Sequence, residues 1–344
     1  MKAVELARVI GNCEATTPSC AGARHRELNH MLESLTFHFE GSLADQHKMN
    51  FYESARFQYA AARLLVKLAQ FRSSGRFQQK ISNKSNFDVR LTSQSDGSFN
   101  INVEDPGQDT ASEQFMNIPL GDLVAYVSER VIAKLDEDSL KSTGGAGVKT
   151  EIETLSESVI AETTTVDQLP KANRDLVKRR VAEISRENRL NDSASSIIKI
   201  DFARSQKLIA MSAPLLSEMA TALRRSADTL EVSSSISGRS KEILFLDQRM
   251  ASEIETSLVD DEITTLLCDV IQFNKDNGWG KVKFENSLAV ASFSIPYDIL
   301  PRIKQRLIDT MKKDQVNLQV YFVRDMAGEV IRLIVVGILA TPVD

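Results

Sequence analysis

The chain has 344 residues, 42% of them apolar and 26% charged, with a formal net charge of -5. That size allows two or three domains, each with its own core, and that balance excludes a protein coated over its whole surface by nucleic acid, because a basic footprint is then the rule. The sequence holds no apolar run near the roughly 20 residues of a membrane span, no signal-peptide pattern at Met1 to Ile10, and three cysteines rather than a disulfide framework. A cytoplasmic, membrane-free protein is expected.

Residues 1–34 read as a lead-in, with Met31 as an alternative start. Leu35 to Glu40 alternates apolar and polar and stops at Gly41-Ser42, which predicts a strand and a turn. Phe51 to Phe71 carries Phe51, Ala55, Tyr59, Ala62, Leu65, Val66 and Ala69 at helical spacing, with Gly75 just beyond. Phe87 to Leu91 and Phe99 to Val103 alternate on either side of Asp96-Gly97, predicting a hairpin. A second helix is expected from Leu120 to Leu135, with Leu123, Val127, Val131 and Leu135 on one stripe. Residues 35–138 thus read as an α+β domain.

Small residues across 139–150, including Gly144, Gly145 and Gly147, predict a linker. Their likeness to a phosphate loop fails, since Val148 separates Gly147 from Lys149. Residues 151–259 read as mostly helical: a helix fading at Thr163 to Thr165, a charged helix around Leu176 to Ile184, and a helix from Leu215 to Leu223 with Pro214 in its first turn. Ile197 to Phe202 and Leu244 to Leu246 are strand expectations, and 233–241 a loop.

Residues 260–344 carry three strand-like runs, a helix and two more strand-like runs. Ile263 to Phe273 changes phase, which implies a bulge. Asn277-Gly278 predicts a hairpin into Trp279 to Phe284, and Leu288 to Ile295 follows. Asp298 is expected to cap the helix carrying Ile299, Ile303, Leu307 and Met311. Val316 to Val323 alternates cleanly, and Val330 to Leu339, almost wholly apolar, is expected to be covered on both faces. This order is similar to a five-stranded OB-type barrel. The expected architecture is therefore α+β: an N-terminal α+β domain, a helical middle region and a small OB-like barrel.

Gly97-Ser98-Phe99 and the strand-turn from Phe37 to Gly41, followed by helices and a barrel, also resemble an uncharacterised bacterial family. The resemblance implies no assigned activity. It does imply an accessory gene of mobile elements, hence a component of a phage-related or other multi-protein system.

Three sets of residues point to chemistry. Trp279, Lys281 and Lys283 on one strand, with Lys275 across the hairpin, form an aromatic platform with bases of the kind that holds single-stranded nucleic acid. The helix from Lys171 to Arg189 has seven bases, among them Lys178, Arg179 and Arg180, against three acids. It is either a phosphate-engaging stripe or a solvated face with internal pairs such as Asp175 with Arg179. Cys13, Cys20, His25 and His30 are zinc-type ligands without the close Cys pair of a structural site; a metal-dependent hydrolase or nuclease built on them is the least favoured reading. No catalytic triad or carboxylate pair can be nominated, and no cofactor is implied. The leading expectation is a non-enzymatic binding or assembly protein, acting through a protein partner or self-association, with nucleic-acid binding as the alternative.

Overall fold

The computed structural model describes residues 32–78, 80–82, 86–92, 99–106, 114–135, 146–285, 289–313, 315–325 and 328–339. Strand β1 (Glu33–Glu40) opens the chain, and Asn50 caps helix α1 (Phe51–Ser74) by accepting from the Tyr52 and Glu53 N–H groups. Gly75 closes α1 with φ +66, where a side chain would be strained. Strands β2 (Arg90–Thr92) and β3 (Phe99–Asp105) pair antiparallel as the alternation predicts; the Asp96-Gly97 turn lies outside the described residues.

Helix α2 (Leu120–Val131) departs from its one-stripe reading, since every residue of it is buried. The linker expectation falls largely on 136–145, outside the described residues, while 146–150 open helix α3 (Ala146–Ile160). Then come α4 (Lys171–Asp192), the single turn α5 (Ala194–Ile197) and α6 (Phe202–Ala220). Ile197 to Phe202 is therefore not a strand. Pro214 sits inside α6 rather than in a first turn.

The expected loop at 233–241 is a hairpin. β4 (Thr229–Ile236) and β5 (Arg239–Asp247) are joined by Ser237 and Gly238 alone, with φ +52 and +79. Two successive left-handed residues match the right-handed strand twist and make a tight hairpin turn. The serines concealed it, because Ser234 is buried by bonding Glu33 rather than by apolar packing. The sheet order is β2-β3-β1-β4-β5, so the middle third completes the sheet begun by the N-terminal segment. Its inner face packs on α1, where the Phe57 ring stands edge-on to Phe37 at 5.4 Å and Phe39 at 4.9 Å.

After α7 (Gln248–Thr256) and the short β6 (Leu258–Val259), the last segment closes as a barrel from β7 (Thr264–Phe273), β8 (Trp279–Phe284), β9 (Val290–Ser294), α8 (Leu300–Thr310), β10 (Val316–Arg324) and β11 (Val330–Ile338). β7 pairs with β8, β8 with β9, β9 in parallel with β11, β11 with β10, and β10 back with β7. The architecture is α+β with a small OB-like five-stranded barrel. The bulge implied by the phase change falls between Val270 and Gln272 and turns Ile271 outward. Leu333, Ile334 and Val335 are consecutively buried, so β11 is covered on both faces there.

Gly280 is fixed by this closure. A Cβ there would lie 2.3 Å from the Phe293 ring and 2.4 Å from the Gln272 carbonyl oxygen. Gly280→Ala is expected to cost about 1–3 kcal/mol through overpacking, read as a lower urea midpoint. The Cys268 thiol is buried in the same wall, and burial pushes its pKa up to about 12. It is expected to resist alkylation at pH 8 until the barrel unfolds, because the thiolate is the nucleophile; mass spectrometry of its peptide checks this.

Candidate protein-binding face

Two apolar stripes run along α1, and only one enters the core. Phe57, Ala60, Ala61, Leu64, Leu68 and Phe71 are buried against the sheet and neighbouring helices. The stripe read from the sequence as the packed one is divided. Leu65, Val66 and Ala69 are buried, but Phe51 is 89% exposed, Tyr52 68% and Tyr59 64%, and Ala55 and Ala62 are exposed as well. Spacing cannot tell which of two apolar stripes meets the sheet; the aliphatic stripe with Phe57 and Phe71 packs more densely.

The outward stripe has a regular form. Tyr52 and Tyr59 stand seven residues apart, with Ala55 and Ala62 three residues after each Tyr, and the next position at that spacing, Val66, is buried. Large side chains separated by small ones, at this period, form knobs and holes for a facing helix. The start of α1 is pinned: the Asn50 N–H donates to Ser226 Oγ at 3.0 Å, and the Ser226 hydroxyl donates to Glu53 at 2.5 Å. That contact holds Phe51 and Tyr52 on the exposed first turn.

Cations flank the stripe. Arg56 lies over the Tyr52 ring at 5.5 Å and is held there by two bonds to Glu218 of α6, at 2.5 and 2.6 Å. Arg63 lies over Tyr59 at 5.4 Å. Lys67 follows one turn on, its pKa lowered by burial and by the nearby Arg63 charge. Among the described residues, Arg63 and Lys67 have no ion-pair partner. Beside the stripe a groove of about 490 Å³ is lined by Tyr59, Ala62, Arg63 and Val66 of α1 and by Lys80 and Ile81 beyond it. The face thus combines exposed Tyr and Phe rings, guanidinium groups and uncompensated positive charge, the composition of interface hot spots.

The residues singled out from the sequence lie elsewhere. Trp279 is 4% exposed, with Lys281 over its ring at 5.6 Å, so its indole is enclosed; Lys275 and Lys283 are exposed. Five of the seven bases of α4 turn inward, while Lys171 is exposed. Lys178 bonds Glu40 and Glu231 at 2.6 and 2.5 Å, Arg179 donates to the Ala133 carbonyl, and Arg180 pairs with Glu153 at 3.0 Å. Arg186 reaches Glu129, and Arg189 reaches Glu33 and Asp122. The expected Asp175–Arg179 pair is not among the ion pairs of the described residues; Arg179 approaches Glu183 instead. Asp298 does not cap α8 but pairs with buried Arg130 at 2.7 Å. Cys13, Cys20, His25, His30 and Met31 lie outside the described residues, and the described ones contain no metal-ligand cluster.

No helix among the described residues is long and apolar enough to cross a membrane. The face on α1 could have been suspected from Tyr at positions 52 and 59 with Arg at 56 and 63, since a core stripe rarely alternates with arginine. Comparison with family models, curated proteins and solved structures returns no match, so the arrangement on α1 stands on its own physical chemistry.

Proposed function

We propose that the chain is a binding and assembly protein that acts through protein contacts, and that the outward face of α1 is its contact surface. The observation that carries this reading is the aromatic stripe of Phe51, Tyr52 and Tyr59, left in solvent on a helix whose opposite face is fully packed. A patch of this kind rimmed by charge marks an interaction site.

The occupant it fits is an acidic amphipathic helix of a different protein. Seven-residue spacing with alternating large and small side chains suits a helix, and Arg63, Lys67 and Lys80 suit carboxylates on its edges. A second copy of the chain fits poorly, because α1 against α1 would set these cations against each other. Nucleic acid fits poorly too. Arg56 is already committed to Glu218, and the other bases sit along one short flank rather than in a row that follows a phosphate backbone.

Pull-down from the native host, comparing wild type with Tyr52→Ala/Tyr59→Ala at matched thermal stability, tests the reading. The expected result is a discrete acidic protein retained by wild type and lost from the variant. Equal retention by both, or salt-dependent retention of nucleic acid alone, would overturn it.

A further inference from the structure

The outer face of the N-terminal sheet is paved with hydrogen-bonding groups. His38 on β1 stands between Asn100 on β3 and Glu231 on β4; Thr36 stands between Asn102 and Ser233, and Ser233 opposite Glu242 on β5. Helix α4 and the end of α3 stand over part of this face and leave a cleft of about 870 Å³, the size of a small-molecule site. Its floor includes Thr36, His38, Asn100, Ser233 and Glu242, while Ser185 and Asn188 face it from α4. Val159, Ile160 and Val181 make an apolar wall.

The groups at the floor are held in place but not used up. His38 Nδ1 and Asn100 Oδ1 lie 2.6 Å apart; with Nδ1 as the donor, the Nε2 lone pair is left free. Among the described residues Glu242 Oε2 has no hydrogen-bond partner, a costly state for a carboxyl oxygen with little exposure. Burial and the Glu231 charge push the Glu242 pKa up to about 7, and Lys178 lowers it less because that lysine is held between Glu231 and Glu40. The chemistry of the ligand follows from these surroundings. An anion would meet Glu162, Glu231 and Glu242; a cation would meet Arg239 and Lys241. A neutral ring with hydroxyls on its edge and C–H groups on its face matches both floor and wall.

We propose that this cleft is a binding site for a small neutral polyhydroxylated ring of the sugar class, whose adjacent hydroxyls reach Glu242 and Ser233 and whose apolar face lies on Val159, Ile160 and Val181. The site is separate from the α1 face and stands whether or not that face binds protein.

Saturation-transfer NMR on the full chain with glucose, galactose, ribose and adenosine tests it, the last separating nucleosides from free sugars. Transfer to at least one of the four is expected, weakened roughly tenfold or more by Glu242→Ala or Ser233→Ala, each of which removes a hydrogen bond. Ser185→Phe, which narrows the cleft from the helix side, is expected to abolish transfer, and an unchanged melting curve shows each variant folded. No transfer to any of the four into the millimolar range, or transfer indifferent to Glu242→Ala and Ser185→Phe in folded variants, would overturn the proposal.

Discussion

Glu129→Ala is expected to destabilise the chain by about 3–5 kcal/mol, the cost of removing one partner from a buried charge cluster. Glu129 lies 2.9 Å from Lys134 and 3.2 Å from Arg186, and all three side chains are buried. The alanine would leave two enclosed cations with no carboxylate between them. The cluster extends to the barrel: Lys134 Nζ donates to the Asn277 and Ile295 carbonyls at 2.7 and 2.6 Å and stands 3.6 Å over the Tyr297 ring, while neighbouring Arg130 pairs with Asp298. Loss of Glu129 therefore loosens the barrel from the helix it rests on. Burial lowers the Lys134 pKa, which only Glu129 and more distant carboxylates oppose, so in the variant the lysine is expected to favour its neutral form. Urea unfolding followed by fluorescence of Trp279, the single tryptophan, on β8, measures the loss. A change below about 0.5 kcal/mol, the range of ordinary surface substitutions, would contradict the account.

The second large effect is on binding. Tyr52→Ala and Tyr59→Ala are each expected to weaken the partner complex by about 2 kcal/mol or more, roughly 30-fold, as for aromatic hot spots at the centre of an interface. Stability should scarcely change, because both rings are already in solvent. Arg63→Glu/Lys67→Glu should act differently, slowing association and reducing its salt dependence, since flanking charge steers encounter more than it holds the complex. Surface plasmon resonance at two salt concentrations separates the two behaviours. Equal loss of stability and affinity in the tyrosine variants would mean that the rings serve the fold.

Much of this architecture was legible because periodicity reports local geometry. The closed barrel, the bulge near Ile271 and the Gly75 cap each followed from spacing and turn residues. What was hidden depended on neighbours remote in sequence. The charges of α4 were open to two readings, a phosphate-engaging stripe or a solvated face, yet Arg186 and Arg189 are buried against Glu129 and Asp122 of α2. The β4–β5 hairpin was masked by serines whose burial is satisfied by a carboxylate. The outward face of α1 was taken for core because two apolar stripes on one helix have the same period, and only the tertiary fold decides which one the sheet covers.

The most direct measurement is site-specific photo-crosslinking in the native host, with benzoylphenylalanine replacing Tyr59 or, as a control, the exposed Lys207 of α6. The account predicts one discrete product at position 59, joined to an acidic helix of a different protein, absent at position 207 and formed more slowly on adding Arg63→Glu/Lys67→Glu. A product joining two copies of this chain, a nucleic-acid adduct, or the same products from both positions would contradict it.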